Sequence, residues 1–138
     1  MVYSLDTNIV IHYLRNEPNV CRNFSEAVLR GDGLVIPKIV DYEIKRGFCV
    51  FSAPAKESAY KILTDTSGFC VVSEMDTYAW ERAEKVYAEL YRKRLTVDEM
   101  DILIAAFCVE KGYTLVTNNV KHFEVIDDLK TEDWTREK

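Results

Sequence analysis

The chain has 138 residues, 48% of them hydrophobic and 30% charged, with a net charge of −5 and an isoelectric point near 5.1. This is the balance of an ordinary globular domain and excludes a disordered or fibrous chain. No apolar run approaches the roughly 20 residues that a membrane helix needs. An acidic chain is not held on nucleic acid chiefly by counterion release, although a nuclease whose site is built from carboxylates can be acidic overall.

Short apolar runs alternate with helical periods along the whole length. Residues 1–6 (MVYSLD) read as a strand. They have no basic stretch ahead of the apolar part and carry Asp6 inside it, which argues against a signal peptide and predicts a cytoplasmic protein. Residues 7–15 read as a helix entered through a capping residue. Residues 20–29 follow with Val20, Phe24, Ala27 and Val28 at helical spacing. Gly31-Asp32-Gly33 breaks that helix, and residues 34–37 form a short buried strand. The next helix, residues 38–51, has Ile39, Val40, Ile44, Phe48 and Phe51 on its apolar side. A helix over 55–66 stops near Gly68, and residues 69–72 are a strand. Residues 76–94 form a long amphipathic helix with Ala79, Ala83, Val86 and Leu90 facing inward. Residues 98–111 are apolar nearly all round, so this helix packs against a sheet. Gly112 ends it. Residues 114–117 are a strand, and residues 123–126 a last one. No repeat or Pro/Gly linker divides the chain, so residues 1–138 are read as one domain. The alternation implies an α/β fold with a mainly parallel central sheet flanked by helices.

Cys21, Cys49, Cys70 and Cys108 are widely spaced among apolar neighbours, which fits buried reduced thiols and neither a zinc ribbon nor a redox motif. His12 and His122 are too few for a histidine-rich zinc site.

In parallel sheets, functional groups collect outside the carboxyl ends of the strands. Asp6 closes the first strand there, where it also suits a helix N-cap. Glu43 falls at the edge of the buried face of its helix, whereas Lys45 points away. Asp98 and Asp101 are three apart and share a helix face. With Thr96 as N-cap and Glu99 completing a capping box, Asp98 stands in the first turn, where the helix dipole favours it. Asp101 lies one turn deeper among Met100, Ile102, Leu103 and Ile104, where an unpaired carboxylate is costly. Asn119 follows the strand TLVT two residues after Thr117. Carboxylates from separate stretches converging on one sheet edge repel one another unless a cation sits among them. Oxygen ligands without His or thiolate suit Mg²⁺ or Mn²⁺. Arg92-Lys93-Arg94, preceded by Tyr91, is the densest basic cluster and a candidate grip for RNA phosphates, or a plain helix C-terminus. Lys45 and Arg46 form a weaker one.

The motifs LDTNIVI (residues 5–11), DYEIKRG (41–47), DEMDILIAAF (98–107), LVTNNVKHFEVI (115–126) and LKTEDW (129–134) resemble, in order and over nearly the whole chain, the PIN-domain ribonucleases of the VapC toxin type. The resemblance implies a three-layer PIN-like fold and dependence on Mg²⁺ or Mn²⁺. It implies cleavage of structured RNA, tRNA included, with inhibition of translation. It also implies a homodimer, and neutralisation by a cognate VapB-like antitoxin that puts a basic residue into the acidic site. The first family acid falls on Asp6, the second on Glu43 and the third on Asp101, the expected metal ligands. Many members have Asp at the fourth position, which here is Asn119, and Asp98 stands near enough in sequence to supply the missing charge. These five are the candidate catalytic residues. Thr7, Asn8, Thr117, Arg92, Lys93 and Arg94 are the candidate substrate contacts. The competing reading is a PIN-like module that binds RNA or protein without cutting it. A phosphoacceptor receiver domain is disfavoured, because it needs a Lys after a late strand and LVTNN offers none.

Overall fold

The computed structural model describes residues 1–66 and 68–137. Its centre is a five-stranded, wholly parallel sheet in the order β3-β2-β1-β4-β5. The strands are β1 (Val2–Leu5), β2 (Gly33–Pro37), β3 (Cys70–Ser73), β4 (Thr114–Val116) and β5 (Lys130–Glu132). Between them run α1 (Thr7–Leu14), α2 (Pro18–Arg30), α3 (Lys38–Val50), α4 (Pro54–Lys61), α5 (Thr77–Arg92), α6 (Glu99–Lys111) and α7 (Val120–Phe123), which flank the sheet. The π-helical turn Ile62–Thr66 prolongs α4. The chain builds outward from β1 through β2 to β3, then returns to place β4 on the other side of β1. The direction of winding reverses between β1 and β4, and in open parallel sheets that switch point opens a crevice at the strand ends.

The core gathers on both sides of β1, β2 and β4, with Leu5, Leu34, Ile36, Leu115 and Val116 among its most deeply buried side chains. α6 buries Ile102, Ile104, Ala105, Ala106, Phe107 and Cys108, which is why its sequence shows no polar face. α5 presents Ala79, Ala83, Val86 and Leu90 inward, as their spacing predicts, and packs along α6. Among the described residues no helix is long and apolar enough to cross a membrane.

Some expectations change. The last strand is Lys130–Glu132, not residues 123–126. The three-residue spacing of Phe123 and Ile126 buries both from a helical turn and the bend after it, while the true edge strand, KTE, is too polar to show a hydrophobic period. α6 begins at Glu99, with Asp98 as an extended N-cap whose side chain makes no cap bond. Thr96 is therefore not the cap, and Asp98 stands before the first turn. Phe51 lies just past the end of α3 in extended backbone and is 77% exposed. Of the thiols, Cys70 and Cys108 are buried, Cys21 is half-buried and Cys49 is exposed. α2 starts two residues before its first apolar position, because Pro18 fits the first turn and the Glu17 carboxylate accepts from the backbone of Asn19 and Val20.

Candidate active site

Asp6 leaves β1 at the switch point and caps α1. Its Oδ1 accepts from the Thr7 backbone N–H at 2.9 Å and its Oδ2 from the Thr117 hydroxyl at 2.8 Å. Thr117, just beyond β4 and fully buried, accepts in turn from the Asn119 backbone N–H at 3.1 Å. The two strand ends that flank the switch point are thus tied through one carboxylate. Thr7 extends the tie, since its hydroxyl donates to Glu43 Oε1 at 3.1 Å and so joins α1 to α3. Asp101, in the first turn of α6 and not a turn deeper because the helix starts only at Glu99, brings its Oδ2 to 2.9 Å from His122 Nε2 on α7.

Asp6 is only 7% exposed, and burial raises its carboxyl above the ordinary range. Bonds from Thr117 and Thr7 pull it back, and the charge of Asp101 pushes it up again. Burial likewise raises Glu43, with Thr7 opposing and the charges of Asp6 and Asp101 adding to the rise. The charge of Asp101 therefore reaches both Asp6 and Glu43 and makes the ionisation of each costlier, as the charge of Asp6 does for Glu43. Two basic groups stand against these acids: His122 beside Asp101, and Arg46, whose Nη2 is 4.0 Å from Glu43 Oε2. Its guanidinium also lies over the Tyr42 ring, 5.2 Å from the centroid.

The structure thus brings together Asp6, Thr7, Glu43, Asp101 and Thr117. Asn119 joins through its backbone, its side chain being exposed. Asn8 and Asp98 are exposed, and neither enters the hydrogen-bonded chain described above. Arg92, Lys93 and Arg94 sit where α5 ends, with Lys93 paired to Asp127 at 3.3 Å and Arg94 in the left-handed region at φ 59°. Lys45 does point outward, but its Nζ turns back to 3.4 Å from Asp41 Oδ2. Asp41 itself, 1% exposed, accepts from the Tyr60 hydroxyl at 2.7 Å and from Lys38 at 3.2 Å. Sequence reasoning missed the partnership of His122 with Asp101, because a four-residue helix shows no period. The one available signal is its three-residue spacing from Asn119.

The oxygen-only donors and the mutual repulsion of Asp6, Glu43 and Asp101 fit a hard divalent cation in chemistry and charge. Among the described residues, no three His, Cys, Asp or Glu side chains are yet drawn close enough to hold one.

A parallel sheet in this order, with acids from β1, α3 and α6 at its switch point, is the architecture of a PIN domain. The sequence profile of that domain matches residues 3–129, and the chain belongs to the PIN-domain family. Relatives within the family include VapC proteins. It is 30% identical to the tRNA(fMet)-specific endonuclease VapC of Shigella flexneri, covering 96% of this chain and 98% of that one. It is 29% identical to ribonuclease VapC2 of Rickettsia felis, over 99% of this chain and all of the other. Among solved structures, it resembles VapBC2 of Rickettsia felis bound to a promoter DNA fragment, with a TM-score of 0.83 at 27% identity over 97% of this chain and 99% of that one. DNA-bound VapBC of Salmonella typhimurium gives a TM-score of 0.80 at 29% identity over 97% and 98% of the two chains.

Proposed function

We propose that this chain is a Mg²⁺- or Mn²⁺-dependent endoribonuclease, the toxin of a toxin–antitoxin pair, which cleaves structured RNA such as tRNA and so arrests translation. The observation that carries this reading is the coupled set Asp6, Glu43 and Asp101, buried or half-buried at the switch point and lacking a full countercharge. The names of the VapC relatives support the reaction class. That all three acids are retained argues against a module that binds without cutting.

Asp6, Glu43 and Asp101 would hold the cation. When bound, it supplies polarisation of the scissile phosphate and a water acidic enough to attack phosphorus near neutral pH. The protein's own part is positional. Thr7 and Thr117 hold both Asp6 oxygens, so the carboxylate does not have to reorganise as charge develops. Thr7 sets the plane of Glu43 at the same time. Cleavage would leave a 3′-hydroxyl and a 5′-phosphate. Asn119 adds no charge at the rim, and Asp98 lies outside the carboxylate set. The net negative chain needs local cations to meet RNA phosphates. Arg46 with Tyr42, beside Glu43, and the Arg92-Lys93-Arg94 end of α5 are the candidates.

The partner is a VapB-like antitoxin. An apolar groove lined by Ile11, Leu14, Ile44, Phe48 and Phe51 runs up to Glu43, so a partner lying in it could reach the carboxylates with a basic side chain. The reading includes a homodimer, for which the exposed face of α5 carrying Trp80, Tyr87 and Tyr91 is the surface to bury. Induced expression in a bacterial host tests the proposal. Growth and protein synthesis should stop and resume when a small antitoxin encoded beside the gene is supplied. Normal growth at full expression of soluble protein would reject it.

A further inference from the structure

Each carboxylate at the switch point is met by a donor from the protein. Asp6 has one on each oxygen, and Glu43 has the Thr7 hydroxyl on Oε1. Asp101 has neither Thr7 nor Thr117. Its donor is the imidazole of His122, with Nε2 at 2.9 Å from Oδ2. An ionised carboxylate only accepts, so Nε2 must carry the proton. The arrangement is built into the fold. The His122 backbone N–H bonds the Asn119 carbonyl at 3.1 Å. The neighbouring Phe123 is buried at 1% exposure, and the His122 ring meets it edge-on at 5.3 Å. These contacts limit the swing of the imidazole. The two side chains of the pair are 32% and 27% exposed, which leaves them open to the rim of the site.

We infer that His122 is a positioning residue for Asp101: by donating Nε2–H to Oδ2 it orients the carboxylate and leaves Oδ1 to face a divalent cation. The inference rests on the reading of Asp6, Glu43 and Asp101 as the cation-holding set. His122 takes the part for α6 that Thr7 plays for α3 and Thr117 for β1. It is not itself a ligand, since the nitrogen that reaches the site is spent on Asp101. Hydrogen-bond partners of ligating groups commonly govern metal affinity by about 10- to 100-fold, and the loss of this one should lie in that range.

The test is calorimetric titration of Mn²⁺ into metal-free protein at one fixed neutral pH, with thermal melts in EDTA confirming that each variant is folded. Wild type should bind, and Asp101→Asn should bind far more weakly. His122→Ala should lose about 10- to 100-fold in affinity. His122→Gln, which keeps an N–H donor of similar reach, should recover most of that loss. Raising Mn²⁺ should then restore RNA cleavage to His122→Ala but not to Asp101→Asn. Wild-type affinity in a folded His122→Ala, alongside a loss in Asp101→Asn, would overturn the inference and leave the cation site standing. A His122→Gln variant as weak as His122→Ala would overturn it in favour of direct nitrogen ligation. If Ala does not fold, His122→Leu, which fills the same space without a donor, takes its place in the comparison with Gln. No Mn²⁺ binding by wild type, or undiminished binding by Asp101→Asn, would instead strike at the cation reading itself.

Discussion

Thr117→Val removes one hydroxyl from beneath the site and keeps the shape of the side chain. The hydroxyl donates to Asp6 Oδ2 at 2.8 Å from a fully buried position, so water cannot readily replace it. A hydrogen bond to a charged group contributes about 1.5–3 kcal/mol. For a domain of this size that loss lowers the melting temperature by roughly 5–10 °C. The bond favours the ionised form of Asp6, whose carboxyl burial already raises. Its removal therefore raises that carboxyl further. The destabilisation is complete above the folded titration of Asp6 and shrinks as pH falls through it. Urea unfolding in EDTA between about pH 4 and pH 8 would measure both features. In an Asp6→Asn background the same substitution should cost only the roughly 0.5–1.5 kcal/mol of a neutral bond. An equal cost in both backgrounds, independent of pH, would refute the claim that Thr117 acts on a buried charge.

Glu43→Gln should leave the metal-free protein as stable as wild type or more so at neutral pH. Burial and the charges of Asp6 and Asp101 raise the Glu43 carboxyl, so its contribution is present below the unfolded value and drains away as pH rises through the folded one. Melts in EDTA across pH should show that decline in wild type and a flatter curve in the variant; a marked loss of stability would make Glu43 a structural partner instead. Asp41 behaves in the opposite sense: burial pushes it up, but the bonds from Tyr60 and Lys38 and the charge of Lys45 outweigh that and hold it below the usual range. Tyr60→Phe should cost about 1.5–3 kcal/mol at neutral pH, a cost that fades as pH falls through the folded value of Asp41, measured by urea unfolding. Replacing Arg92, Lys93 and Arg94 together by Ala should weaken RNA binding and flatten its salt dependence while antitoxin binding persists; parallel titrations would expose equal losses, and an effect confined to Arg46→Ala would move the RNA grip to α3.

Much of this architecture is legible in the sequence because its elements carry their own periods. α5 shows its buried stripe at Ala79, Ala83, Val86 and Leu90, and α6 announces its burial by lacking a polar face. Asp6 and Glu43 are legible because one closes a strand and the other sits on the helix that leads away from one, and Asp101 because it stands among apolar residues near the start of a buried helix. What the sequence hides is short or long-range. β5 is a polar edge strand with nothing to bury, and α7 is too short to have a period. Asp98 shares a helix face with Asp101 only if the helix begins early, and its late start removes that argument. The Asp101–His122 contact joins residues 21 apart through a turn that local spacing does not describe. The Asp6–Thr117 bond spans 111 residues and exists only because β1 and β4 are neighbours in the sheet.

We propose that three coupled carboxylates at the switch point make this chain a metal-dependent ribonuclease. Incubation of purified protein with structured RNA, in Mg²⁺ or Mn²⁺ and in EDTA, tests it most directly when Asp101→Asn is run beside wild type. Wild type should give discrete fragments with 5′-phosphates in either metal and none in EDTA, and the variant should lose several orders of magnitude in activity. Cleavage that survives EDTA, or a folded Asp101→Asn that cuts as wild type does, would contradict it.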